Sequence, residues 1–161
     1  MSSLSRRTFL GAAGAVAGAA VVGCDGSSPT ARSGPAGTGA PDAELVAAAV
    51  TTHRALLASY GGIVRAHPST RPEVKVLMDQ LGEHLSALGA PTHQSGRPPP
   101  ARRRRPEALT ALRDAEAGAS ADRVADSRFA ESGDVARVLA SVAACHAQHV
   151  DVLDDLLRAG R

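Results

Sequence analysis

Between Val135 and Leu156 the chain sets Val135, Leu139, Val142, His146, His149, Leu153 and Leu156 at alternating steps of four and three. Only an α-helix puts such a series on one face, and the spacing is that of a helix buried along a single stripe. Three earlier segments repeat it. The first carries Val46, Ala49, His53, Leu56, Tyr60, Ile63 and His67, and the second Val74, Leu77, Leu81, His84 and Leu88. The third carries Leu109, Leu112, Glu116 and Ala119. No segment alternates with period two, so strands are not expected. The chain has one Tyr, two Phe and no Trp. Its core must be built from Leu, Val and Ala, which suits closely packed helices.

Punctuation residues bound the four segments. Asp42 is placed to cap the first helix, and Pro68 stops it after His67. Pro72 falls in the first turn of the second helix, and Gly89 follows its end at Leu88. The third runs from about Pro106 to Ala130, the fourth from about Asp134 to Ala159. The Gly61-Gly62 pair weakens the first helix and is a place for it to bend. The connection "APTHQSGRPPPARRRRP" has roughly 16 residues and can reach about 50 Å. A 25-residue helix is only about 37 Å long. An end-to-end crossover between the second and third helices is therefore sterically open.

The polar members of the stripes are His53, His84, Glu116, His146 and His149. Counted from the helix ends, all five lie near mid-length, within a turn or two of one level. Imidazole nitrogens and a carboxylate gathered in a core suit a transition metal ion such as Fe, Zn, Cu or Ni. His146 and His149, three residues apart, can share one ion. Cys145 adjoins the stripe as a weaker candidate. A buried histidine can equally be satisfied by donating to a carboxylate or a carbonyl. The sequence leaves open whether the layer holds an ion or only its own hydrogen bonds. Glu83 points away from His84 on the helix and reads as a solvent-facing residue. His93 and the Arg102–Arg105 run fall in the connection, where they read as solvated. An attraction of the arginines to anionic lipid is the alternative.

The N-terminus belongs to a different class of segment. "SRRTFL" (5–10) contains the pair Arg6-Arg7, and a weakly apolar Ala/Gly-rich run follows to Val22. The run is about 15 residues long, short of the ~20 that a spanning helix needs. It resembles a twin-arginine export signal. It ends in "VVGC", which resembles a lipobox. That resemblance implies cleavage after Gly23 and lipid attachment at Cys24. The expected organisation is a signal over 1–23, a flexible tether over 24–41 rich in Pro, Gly and Ser, and a four-helix domain over 42–160.

Removing the signal also removes Arg6 and Arg7. The formal charge of +2 then falls to zero, with 16 basic side chains facing 16 acidic ones. No basic surface for nucleic acid is expected. With Cys24 lipidated, Cys145 has no disulfide partner, so packing, or packing plus a ligand, must hold the fold.

"HRALLASYGGIVRAHP" (53–68), "LGEHLSALGA" (81–90) and "RVLASVAACHAQHVDVL" (137–153) are similar to segments of exported bacterial lipoproteins with a ferritin-like domain of unknown function. The likeness spans about residues 42–158. It implies a ferritin-like four-helix bundle, all-α, on a disordered lipid-anchored tether. Ferritin-like carboxylate proteins place a Glu on each of two helices and a Glu-x-x-His pair on each of the others. Here His53 stands for the first Glu, Leu81 and His84 for one pair, Glu116 for the third-helix Glu, and His146 and His149 for the second pair. One carboxylate of four remains. Bridging carboxylates offset the charge of two iron ions, and neutral imidazoles cannot, so the pattern argues against a di-iron oxidase.

The resulting expectation is a lipoprotein on the outer face of the cell membrane, a non-enzymatic binding or structural module. A His-rich metal-binding lipoprotein, in metal handling or redox defence, is the alternative. The membrane, reached through the lipid, and the export machinery are its implied partners. No protein partner can be named from the residues.

Overall fold

The computed structural model of the protein describes residues 39–92 and 104–160. Four α-helices make up almost all of this: α1 (Ala40–Ala66), α2 (Arg71–Ala87), α3 (Arg105–Phe129) and α4 (Gly133–Ala159). A short 3₁₀ turn, Pro68–Thr70, joins α1 to α2. Strands are absent among the described residues. The segment expected to be the signal, with Arg6 and Arg7, the expected lipidation position Cys24, the expected tether to residue 38, His93, Arg102 and Arg103 lie outside the described residues. None of the described helices is long and apolar enough to cross a membrane.

Helix boundaries follow the punctuation, with one instructive departure. Gly39, not Asp42, takes the N-cap position of α1, and Pro41 sits in the first turn. Proline's fixed φ and missing N–H suit that turn, so the helix begins two residues before the Asp42 cap. Asp42 is released for another task. It is buried, and its two carboxylate oxygens accept from the backbone N–H groups of Glu131 (2.8 Å) and Ser132 (2.9 Å). Those groups belong to the turn between α3 and α4, so Asp42 ties the start of α1 to the start of α4. Gly61 and Gly62 stay within α1.

At the end of α2, Gly89 adopts φ 74°, a left-handed conformation that a side chain disfavours. Its N–H donates to Ser86 (3.0 Å) and the N–H of Ala90 donates to Leu85 (2.8 Å). This is the paired closure of a Schellman motif. The arginine run enters α3: Arg105 is its first residue and Arg104 its N-cap.

The stripes read from the sequence are the buried faces. Ala49, His53, Leu56, Tyr60 and Ile63 of α1 are buried, as are Val74, Leu77 and Leu81 of α2. So are Leu109, Leu112, Glu116 and Ala119 of α3, and Val135, Leu139, Val142, His146, His149 and Leu153 of α4. Val46, His67, His84 and Leu156 are half-buried.

Two apolar clusters give the helix directions. One gathers Ala49, Leu88, Val135 and Leu139, with Ala130 against it. It joins the start of α1, the end of α2, the end of α3 and the start of α4. The other includes Ile63, Val74, Leu109 and Leu153 and joins the opposite ends. Helices α1 and α4 therefore point one way, and α2 and α3 the other. The end of α2 and the start of α3 thus lie at opposite ends of the helices. Thr92 lines one groove with Met78 and Gly82 of α2. On α1 and α4 the histidines fall between the two clusters.

Candidate metal centre

Each helix contributes to one polar layer within the core. His53 comes from α1, His84 from α2, Glu116 from α3, and His146 and His149 from α4. His53, Glu116, His146 and His149 are at most 1% exposed. His84 is half-buried and so lies nearest to solvent. Ring centroids are 4.9 Å apart for His53 and His146, 5.3 Å for His53 and His84, and 5.9 Å for His84 and His146. His149 lies 5.9 Å from His146 and 6.4 Å from His84, measured the same way.

Glu116 organises one side of the layer. Its Oε1 accepts from the Tyr60 hydroxyl at 2.8 Å and from Nδ1 of His149 at 3.2 Å. Its Oε2 accepts from Nδ1 of His146 at 2.5 Å. Burial alone raises a carboxyl pKa, but the hydrogen bonds from His146 and His149 overcome it and lower Glu116 to about 2. Glu116 is therefore an ionised acceptor at neutral pH. Burial and the adjoining carboxylate hold the Tyr60 phenol far above its usual range, so it stays a donor.

The other side is built from neutral rings. Nδ1 of His53 donates to the carbonyl of Ala49, one turn back on α1, at 2.7 Å. A carbonyl only accepts, so the proton sits on Nδ1 and Nε2 keeps its lone pair. That Nε2 lies 3.3 Å from Nδ1 of His84. Burial first, then the neighbouring His146 and Arg123, lowers His53 to about pH 4 despite the Ala49 bond. Burial and the three other histidines lower His84 to about 4 as well. At neutral pH neither ring holds a second proton that would compete with a cation.

His146 joins the two sides. Its Nδ1 is bound to Glu116, while its Nε2 is buried with no hydrogen-bond partner among the described residues. Nε2 of His67 and one guanidinium nitrogen of Arg123 are also buried without a partner, but of the three only Nε2 of His146 belongs to a histidine of the layer. Two groups of three could hold an ion, and His146 belongs to both. They are His53, His84 and His146, and Glu116, His146 and His149; within each, the ligand atoms lie within 4.8 Å of one another.

All five residues expected from the sequence thus meet. Cys145 lies at the margin, its Sγ 3.4 Å from Nε2 of His149, and burial raises its thiol pKa. Glu83 is exposed. Sequence reasoning missed Gln80, whose Oε1 lies 2.9 Å from Nε2 of His149. Its position four residues before His84 was the available signal. It also missed Arg123, only 3% exposed and paired with Asp126 at 2.6 Å. Arg123 extends the α3 stripe by one step of four beyond Ala119. Glu116 is the one carboxylate in the layer among the described residues. The four-carboxylate set of a di-iron centre does not fit these side chains.

The chain matches no protein-family model, no curated protein and no solved structure. The chemistry of the layer has to be read from its own geometry.

Proposed function

We propose that this chain is a metal-binding lipoprotein of the bacterial cell envelope, using a ferritin-like bundle to hold a transition metal ion without catalysing a reaction. One observation carries the metal reading. His53, His84 and His146 bring three ring nitrogens within 4.8 Å of one another, and the buried Nε2 of His146 lacks a partner. A core that only satisfied its own hydrogen bonds would give that nitrogen a donor, because leaving it unpaired costs about 1–3 kcal/mol.

The ferritin-like part of the proposal rests on helix direction. With α1 and α4 pointing one way and α2 and α3 the other, the end of α2 and the start of α3 lie at opposite ends of the helices, which is the arrangement of a crossover bundle. The envelope location rests on residues 1–24 alone. Arg6-Arg7 with its short apolar run supports twin-arginine export, and Cys24 after "VVG" supports lipid anchoring. A route that carries folded proteins suits a site assembled from four helices.

Self-satisfaction without an ion is the competing reading, and Glu116 favours it, since three donors already reach its oxygens. Metal analysis decides between them. The full-length protein is produced with added Fe, Zn, Cu or Ni, purified and analysed for metals. About one equivalent of one ion per chain is expected. Less than about a tenth of an equivalent of every ion would overturn the proposal.

A further inference from the structure

Two overlapping groups of three leave open which side chains touch the ion and what coordination it has. The hydrogen bonds decide. A histidine ligand needs a lone pair on one nitrogen and a proton, held by an acceptor, on the other. His53 meets this: Ala49 holds the Nδ1 proton, and the Nε2 lone pair, which faces Nδ1 of His84, is the one that ligates once His84 gives up its Nδ1 proton. His146 meets it as well: Glu116 holds the Nδ1 proton and Nε2 has no partner. In the alternative group the Nδ1 atoms of His146 and His149 are already committed to Glu116. Ligation through those atoms would break both hydrogen bonds.

Spacing agrees. Two nitrogens at about 2.05 Å from a tetrahedral ion lie about 3.3 Å apart. Nε2 of His53 and Nδ1 of His84 are 3.3 Å apart. His84 is the half-buried member, so an ion reaches the site past its ring.

Resting on the metal-binding reading, we infer that Nε2 of His53, Nδ1 of His84 and Nε2 of His146 form a mononuclear three-histidine site for a divalent ion that prefers imidazole, with Glu116 outside the coordination sphere holding His146 in its ligating tautomer. Zn(II), Co(II), Cu(II) and Ni(II) suit such donors. Three protein nitrogens leave a four-coordinate ion one position for solvent or a small exogenous ligand. Glu116 is a positioning residue, and its carboxylate, bonded to His146 rather than to the ion, balances one unit of the ion's charge.

Co(II) titration of the metal-stripped full-length protein tests this. The wild-type chain should take up one equivalent and show the intense visible bands of four-coordinate Co(II). His53→Gln and His84→Gln should each lose more than about 100-fold in affinity, whereas His149→Gln should keep the bands. Glu116→Gln, whose amide oxygen still accepts from His146, should weaken binding by about 10–100-fold with the bands unshifted. Circular dichroism checks that each variant remains helical. Cu(II)-loaded wild-type protein needs no variant, and its nitrogen superhyperfine coupling should count three imidazoles. Loss of binding in His149→Gln but not in His84→Gln overturns the ligand set while the metal-binding function stands. So does an uptake of two equivalents, or a count of fewer than three nitrogens. A wild-type chain that binds neither Co(II) nor Cu(II) overturns the function and the ligand set together.

Discussion

The hydroxyl of Tyr60 on α1 donates to Oε1 of Glu116 on α3 at 2.8 Å, inside the core. The same oxygen faces Nδ1 of His149. One tyrosine therefore ties the first helical hairpin to the carboxylate that positions the histidines of α4. The sequence shows Tyr60 only as an apolar member of a stripe; the structure makes it part of the polar layer.

Tyr60→Phe removes that donor and keeps the ring's volume. Hydrogen bonds to charged groups contribute about 1.5–3 kcal/mol. Glu116 retains His146 and His149, so the loss should fall near the lower end. Thermal unfolding should show Tm reduced by roughly 5 °C. An unchanged Tm would mean that the bond contributes nothing to stability.

Asp42 should matter more than its place in the first turn of α1 suggests. Asp42→Ala leaves the N–H groups of Glu131 and Ser132 without their acceptor in a partly buried turn. Each unsatisfied group costs about 1–3 kcal/mol, less where water can reach it. Urea denaturation should report a loss of about 2–4 kcal/mol. Asp42→Asn, which keeps one acceptor oxygen, should recover part of it. A loss of under about 0.5 kcal/mol in the Ala variant, the usual range for a surface substitution, would show that the tie is unimportant.

The metal-free protein should lose stability as the pH falls, in a window set by histidine. His53 and His84 are lowered from 6.5 to about 4 in the folded chain. Between those values the unfolded chain binds protons that the folded chain refuses, so stability rises with pH there. Their contribution is complete above about pH 6.5 and gone below about 4. Glu116, lowered from 4.5 to about 2, adds a second loss below pH 4.5. Unfolding free energies measured in chelator at pH 7, 6, 5 and 4 should fall progressively. His84→Gln should flatten the slope between 6.5 and 4. A flat profile in the wild-type chain over that window would contradict neutral burial of the two rings.

The steps of three and four in the sequence reveal the four helices, their buried faces and the level of the five polar residues, because helix geometry converts spacing directly into direction. What spacing cannot convey is how each helix is rotated and which rotamers its side chains take. The proton on Nδ1 of His53 depends on the carbonyl of Ala49, and the orphaned Nε2 of His146 depends on the reach of Glu116. Both are settled by single hydrogen bonds, of 2.7 and 2.5 Å, that a change of side-chain rotamer would break. Asp42 is misread for a similar reason. An Asp before an apolar stripe is a good cap, but Pro41 starts the helix earlier and frees the carboxylate to bond another turn. Arg123 continues the α3 stripe where a charged residue reads as its end; its guanidinium is paired with Asp126, three residues along the same helix.

Export and anchoring can be separated from metal binding by two substitutions outside the helical domain. Replacing Arg6 and Arg7 by Lys keeps their charge but removes the guanidinium pair by which the signal resembles the twin-arginine class. The protein should then accumulate inside the cell with the signal uncleaved. Cys24→Ser leaves that pair intact but removes the thiol that accepts lipid, so it should yield an exported chain absent from the washed membrane fraction. A chain carrying lipid on Cys24 should instead stay with the membrane through high-salt washing, because acyl burial, at about 0.8 kcal/mol per CH₂, is insensitive to screening. Cell fractionation with immunoblotting reads both outcomes. Membrane retention of Cys24→Ser at high salt would refute the lipid anchor. Normal export of the Lys-Lys variant would refute the twin-arginine route. Neither substitution touches the histidine layer, so metal content per folded chain should be unchanged wherever the ion is available.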